Sequence, residues 1–149
     1  TYSTLGQPDG LERLQYSIVS TEAAWRENLD DAGRWQNTIR LGGQFTMDNG
    51  SGYFDYSRYT LTEGIGFRNK RWDIQVRAGV RHYHYDLQMG DAFNDRRYRT
   101  VLTAGGQVEY RFTRNFFAHA RYDWEDNRTN LGLDRYRLSV VSSGIGWEF

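Results

Sequence analysis

A strict two-residue alternation of apolar and polar side chains recurs along this 149-residue chain and constrains its fold more than any other feature. In the clearest stretch, Trp72, Ile74, Val76, Ala78 and Val80 alternate with Asp73, Gln75, Arg77, Gly79 and Arg81. A helix would scatter these two sets around its circumference, whereas a β-strand places them on opposite faces. The alternation therefore predicts strands that each have one apolar and one polar face.

Seven such strands are expected in sequence order. They begin near Leu14, Trp35, Arg58, Trp72, Leu102 and Phe116, and the seventh ends the chain with Ile145, Trp147 and Phe149 on one face. The first, from Leu14 to Trp25, alternates least regularly, which suggests a β-bulge.

The connections between these strands alternate in character. Tight polar turns are expected at Phe67–Trp72 and Phe112–Phe116, and the longer Asn28–Arg34 link falls at the same end. Longer loops rich in Gly, Asn and Asp are expected at Asp48–Gly52, Gln88–Arg96 and Asp126–Asp134. Short turns at one end and long loops at the other are typical of outer-membrane barrels.

The composition narrows the class of protein further. Aromatic residues make up 16% of the chain although its mean hydropathy is −0.81, and 16 glycines take the place of bulkier residues. This profile suits a barrel whose strands meet lipid on one face only. The sequence has no cysteine, which excludes disulfides and thiol chemistry, and its zero net charge gives no indication of a nucleic-acid partner. We therefore expect one domain, residues 1–149: an all-β, antiparallel up-and-down transmembrane β-barrel.

The polar face of the strands carries charges and glycines together. Regular glycines on a solvent-facing strand surface would weaken it without benefit, whereas inside a narrow barrel they make room for long side chains. The expected lumen-facing residues are Arg40, Arg58, Asp73, Arg77, Arg81, Glu109, Arg111, His119, Arg121, Asp123 and Glu125. They form either a salt-bridged interior or a basic strip lining a pore, and the sequence leaves both open.

The last eight residues resemble the C-terminal assembly signal of bacterial outer-membrane proteins. Its characteristic places are a polar residue, a glycine, an aromatic residue and a terminal aromatic residue, and Ser142, Gly144, Trp147 and Phe149 fill them. The resemblance implies recognition by the barrel-assembly machinery. It also implies a location in the bacterial outer membrane, in contact with lipid and lipopolysaccharide.

The strand number is open on the sequence alone. Seven strands leave the two ends of the chain on opposite sides, whereas single-chain bacterial barrels have even numbers. Either Thr1–Leu5 is the stub of a preceding strand and the chain is the C-terminal part of a larger barrel, or the barrel is complete with eight strands. In the second case Thr1–Leu5 is a short first strand, or the prediction for the Leu14–Trp25 strand is wrong. Val101–Phe149 resembles the last strands of β-barrel porins encoded with exopolysaccharide export genes, and small barrels of the OmpX type are similar too.

Three functions follow as hypotheses. The first is a passive porin-like channel or its C-terminal part. The second is a closed eight-stranded structural or adhesive barrel that acts through its loops, and the third is a soluble ligand-binding barrel. The solute and any partner protein stay unidentified.

Enzymatic chemistry finds no support in the sequence, because His119 has no serine beside it as a lipid A deacylase would need. No cofactor is expected. His82 and His84 share a strand face without an evident third ligand, so no metal site is expected either. Glu63 falls between Leu61 and Ile65 on the apolar face, which suggests a bulge, a protein contact or a different register.

Overall fold

The computed structural model describes residues 15–92 and 95–148, and this part of the chain forms a single antiparallel β-sheet. Its strands are β1 (Tyr16–Asn28), β2 (Trp35–Asp48), β3 (Tyr56–Arg68), β4 (Trp72–Met89), β5 (Arg96–Arg111), β6 (Phe116–Thr129) and β7 (Tyr136–Trp147). A short 3₁₀ turn, Gly132–Asp134, precedes β7. Each strand pairs with its sequence neighbours, which confirms the all-β, antiparallel up-and-down prediction.

The connections alternate between the two ends of the sheet as predicted. Residues 29–34, 69–71 and 112–115 lie at one end, and residues 49–55, 90–95 and 130–135 lie at the other. Asn69 makes the tightest turn because its side-chain Oδ1 accepts hydrogen bonds from the backbone N–H groups of Arg71 and Trp72, both at 2.8 Å. Thr113 Oγ1 similarly accepts from the backbone N–H of Phe116 at 3.1 Å.

The first strand differs from its prediction. β1 runs from Tyr16 to Asn28 and pairs with β2 in an unbroken register, so the bulge expected there is wrong. Its irregular pattern reflects polar residues on both faces, such as Glu22 on one and Glu27 on the other. The register shift lies instead between His84 and Met89, where β4 pairs with β5. Residues 1–14, including Leu14 and the segment Thr1–Leu5, lie outside the described residues.

The strands at the long-loop end reach further than the sequence pattern indicates. Asp48 ends β2, Gln88 and Met89 belong to β4, and Arg96 begins β5. β6 continues through Thr129, so the first half of the expected loop Asp126–Asp134 is strand. The buried side chains of Asp126, Asn127 and Thr129 explain the extension, because their polar atoms contact neighbouring strands and the following turn.

The sheet lacks a conventional hydrophobic core. Among the described residues, Val101 is the one buried hydrophobic side chain, with 0% exposure. In these residues no helix has the length and apolar character needed to cross a membrane. β1 and β7 each pair with a single described strand, so the sheet presents two open edges.

Candidate functional site

All eleven polar residues expected to share a strand face do lie on one side of the sheet, which we call the polar face. The strand registers place them in rows, with Arg58 opposite Gln44, Asp73 opposite Glu109, and Glu109 opposite His119. The opposite side, the apolar face, carries residues such as Leu41, Ile65 and Val76.

The polar face encloses a groove of about 600 Å³. Its lining extends from Glu22 on β1 to Arg121 on β6, so the sheet curls towards its charged side. A depression of about 510 Å³ on the apolar face is confined to β1–β4, where Gly43 offers no side chain. The charged face is therefore the inner, concave one across the width of the sheet.

Ion pairs join β4 to β6 across the intervening strand β5. Arg77 Nη2 lies 2.6 Å from Asp123 Oδ1, and Arg81 Nη2 lies 2.9 Å from Glu125 Oε2. Gly105 occupies the β5 position between Arg77 and Asp123. A Cβ at Gly105 would lie 2.8 Å from Asp123 Oδ1, so glycine leaves the space that this long-range pair needs. Arg121 also reaches Asp123, with Nε 2.5 Å from Oδ2.

A second ion-pair group lies at the short-turn end of the polar face. Arg111 contacts Glu109 at 2.9 Å and Glu148 at 3.0 Å, which ties β5 to the end of β7. The hydrogen bond and the positive charge of the Arg111 guanidinium lower the pKa of the Glu148 carboxyl. In the β1–β2 turn, the backbone N–H of Trp35 and the side chain of Arg34 likewise lower the pKa of Asp30.

The link between Glu148 and Arg111 predicts a pH dependence. A carboxyl whose pKa is lower in the folded state contributes stability above its unfolded pKa, and this contribution is lost as the pH falls through the folded pKa. We expect Glu148 to titrate below the ordinary range in a carboxyl-resolved NMR titration, and the variant Arg111→Gln to move its pKa upwards. An unchanged Glu148 pKa in that variant would contradict the pair.

Three of the expected residues, Arg40, Arg58 and His119, form no ion pair with any described residue, and neither does Arg26. Arg26 was missed by sequence reasoning because it lies on the irregular first strand. The register places it on the polar face, opposite Thr38. Alternation on β1 alone could not find it, whereas pairing with the regular strand β2 does.

The apolar face exposes large side chains along its whole width. Val76 is 59% exposed, Trp25 66% and Ile145 70%. At the short-turn end Trp35 contacts Phe67, and a separate chain of ring contacts runs through Trp72, Tyr110, Phe112, Phe116 and Trp147. Exposed apolar patches of this extent mark surfaces that meet lipid or another protein.

Glu63 interrupts this apolar face. Its register with Ile39 on β2 and Ala78 on β4 is continuous, so neither a bulge nor a shifted register accounts for it. A protein contact is the remaining explanation for a carboxylate at position 63. On the same face, His82 Nδ1 lies 2.9 Å from Thr100 Oγ1. No group of three metal-ligating side chains occurs among residues 15–92 and 95–148.

Polar contacts bind the loops together at the long-loop end. Arg97, on the polar face of β5, hydrogen-bonds the Gln88 side chain at 2.5 Å, contacts Asp134 of the β6–β7 connection and lies over the Tyr85 ring. Gln88 in turn donates to the backbone oxygen of Tyr53 in the β2–β3 loop at 3.0 Å. The backbone N–H of Gly132 donates to Asp91 Oδ2 at 2.7 Å, so these contacts together join all three connections at that end.

Removing the Arg97 side chain should release these loops. We expect Arg97→Ala to accelerate limited proteolysis within residues 49–55 and 130–135 while the strands stay protected, because this guanidinium links Asp134 to the Gln88 side chain that holds Tyr53. The matched control is Arg96→Ala, which removes the same charge from the adjacent, exposed position on the other face. Equal cleavage rates in the two variants would refute the role of Arg97.

The resemblance to an assembly signal falls largely on β7. Ser142 pairs with Arg121, Gly144 with His119 and Trp147 with Phe116, while Phe149 lies outside the described residues. A Cβ at Gly144 would lie 2.9 Å from the His119 ring, so this glycine also has a packing role. The middle of β7 departs from the expected pattern, because Leu138 and Val140 lie on the polar face.

Comparison with protein families, curated proteins and solved structures finds no match to this chain. The function therefore has to be argued from the geometry of its two faces.

Proposed function

We propose that this chain forms the wall of a bacterial outer-membrane β-barrel that acts as a passive, porin-like channel, either by itself or as the C-terminal part of a larger barrel. The observation that carries the proposal is the inverted distribution of its side chains. The concave face holds ion pairs such as Arg77–Asp123, and the convex face exposes residues such as Val76.

This distribution would be unfavourable for a soluble barrel. A soluble ligand-binding barrel encloses its apolar residues, and a chain of this length normally depends on such a core for its stability. Here the described residues bury one apolar side chain, Val101. A lipid solvent on the convex side removes the need for that core, and an aqueous lumen hydrates the arginines that no carboxylate neutralises.

The edges of the sheet support closure by additional backbone. Long exposed edge strands present unpaired N–H and C=O groups, which are intolerable in lipid and promote aggregation in water. β1 and β7 run in the same direction, because six antiparallel steps separate them. An all-antiparallel ring therefore requires an odd number of further strands, which fits both the eight-stranded and the larger barrel.

Planar-bilayer recording of the full chain tests the channel. We expect discrete conductance steps in KCl after the chain is refolded in detergent and added to the bilayer. A chain that folds into lipid, as judged by a heat-modifiable gel shift, and yet gives no conductance would overturn the channel.

The interlocked loops favour a second candidate, a closed barrel that binds a partner through its long-loop end. Its supporting observation is the set of contacts made by Arg97, Gln88 and Asp91, which holds the three connections in one arrangement before any partner arrives. Folding without conductance would favour this alternative. Folding in plain buffer without detergent would contradict both membrane candidates.

A further inference from the structure

The arginines of the polar face divide into two groups. On β4–β6, Arg77, Arg81, Arg111 and Arg121 each have a carboxylate oxygen within 3.0 Å. On β1–β3, Arg26, Arg40 and Arg58 have no ion-pair or hydrogen-bond partner among residues 15–92 and 95–148. Arg68, at the short-turn end of β3, is also paired, with Asp73 of β4 at 2.5 Å, so on β1–β3 the arginines without a described partner are Arg26, Arg40 and Arg58.

The three unpaired arginines lie on β1, β2 and β3, each further towards the long-loop end than the one before. Arg26 lies opposite Thr38, which is the polar-face neighbour of Arg40 on β2. Arg26 and Arg40 are therefore diagonal neighbours, with Cα atoms about 7–8 Å apart. Arg58 lies opposite Gln44, two polar-face positions beyond Arg40, or about 13–14 Å further along the strand. We call these three residues the arginine strip.

Most residues around the arginine strip are small and uncharged. Arg40 lies between Ala24 on β1 and Thr62 on β3, and Gly42 follows it on β2. On this face of β1 and β2 the described carboxylates are Glu22, a diagonal neighbour of Arg40 that forms no ion pair with it, and Asp48, which accepts hydrogen bonds from backbone N–H groups of the β2–β3 loop. Arg26 and Arg40 are exposed and line the groove, so a solute in the groove can reach their guanidinium groups.

Unpaired arginines close together on one face favour the binding of an anion. Positive side chains that share an enclosed face repel one another, and a negative solute relieves this repulsion. The guanidinium fork matches the oxygens of phosphate and carboxylate groups better than a point charge does. We propose that the arginine strip is an anion-binding site that makes the channel anion-selective and accepts solutes carrying several phosphate or carboxylate groups. This proposal rests on the proposed channel function.

Reversal potentials in a KCl gradient test the strip in the full chain. We expect chloride to permeate better than potassium, and the triple variant Arg26→Gln, Arg40→Gln, Arg58→Gln to reduce this preference. Removing about 1 kT of wall potential lowers the anion-to-cation ratio in the pore roughly sevenfold, because one ion is depleted while the other is enriched. The matched control is Lys70→Gln, Arg71→Gln, Arg114→Gln, which removes the same charge from exposed turn residues.

Blocking solutes separate the two oxyanion chemistries. Added tripolyphosphate and citrate should each interrupt the current of the parent chain and lose that effect in the strip variant. Block by one and not the other would assign the strip to phosphate or to carboxylate solutes. An open pore with no anion preference, or one that the strip variant leaves unchanged, would overturn the strip while the channel stands.

A direct binding measurement keeps the strip testable if no current is seen. Calorimetric titration of the detergent-folded chain with tripolyphosphate should then give binding that the strip variant loses and the turn variant keeps. Absence of conductance with that binding pattern would refute the channel and support the site. Equal binding by all three proteins would refute the site itself.

Discussion

Replacing Gly105 with leucine will destabilise the folded sheet, whereas the same replacement at the adjacent Gly106 will not. At position 105, an added Cβ would lie 2.8 Å from Asp123 Oδ1 and 3.1 Å from the backbone oxygen of Tyr122. A leucine there pushes Asp123 away from Arg77, which reaches it across this residue. Overpacking of this kind costs about 1–3 kcal/mol of unfolding free energy.

Gly106 makes an unusually close control because it differs from Gly105 mainly in the face it occupies. An added Cβ at Gly106 would meet its nearest atom, the backbone oxygen of Gln75, at 3.5 Å, which is an ordinary contact. Urea unfolding in detergent micelles should give Gly105→Leu the lowest free energy of unfolding and Gly105→Ala an intermediate value. The parent chain and Gly106→Leu should give the highest values. Equal losses at the two positions would show that leucine disturbs the strand itself rather than the ion pair.

Sequence alternation predicts most of the sheet because each face of a strand meets one environment. β2 to β6 obey this rule over most of their length, and the registers place all eleven expected residues on the polar face. The rule fails where the environment is mixed. Glu22 and Glu27 on β1, and Leu138 and Val140 on β7, break the alternation on the two edge strands.

For a related reason, the sequence pattern underestimates the length of the strands at the long-loop end. Asp126, Asn127 and Thr129 are turn-forming residues by composition, yet Asn127 accepts a hydrogen bond from Arg99 at 2.8 Å, and Thr129 donates one to the Tyr98 backbone at 2.7 Å. These partners lie on a different strand, about 30 positions earlier. Local sequence contains no information on such contacts.

For the same reason, the sequence alone does not predict which charged residues form ion pairs. Arg77 and Asp123 are 46 residues apart, and only the combined registers of β4, β5 and β6 bring them into one row. The sequence predicts which charged residues lie on the polar face, but it does not distinguish the paired arginines from the three of the arginine strip. The distinction between paired and unpaired arginines is the basis of the anion-binding proposal.

Replacing Val76 with arginine will prevent insertion into lipid, whereas replacing the adjacent Gln75 with arginine will not. Val76 lies on the apolar face between Ile65 on β3 and Gly106 on β5, and it is 59% exposed. If that face meets lipid, an arginine near the bilayer midplane costs about 2–4 kcal/mol. If it meets water, an arginine at so exposed a position costs within about 0.5 kcal/mol. The folding of this variant therefore shows whether lipid or water covers the convex face.

Gln75 controls for the charge and the size of the new side chain. It lies on the polar face opposite Gly66 and Gln107, and its side chain already contacts Asp73 at 3.2 Å, so an arginine there gains a nearby carboxylate. The measurement is the fraction of each chain that folds into phospholipid vesicles, followed by the heat-modifiable gel shift. Normal folding of Gln75→Arg with loss of folding for Val76→Arg places lipid against the convex face. Equal folding of both variants would mean that lipid does not cover Val76, and the outer-membrane proposal would fall with it.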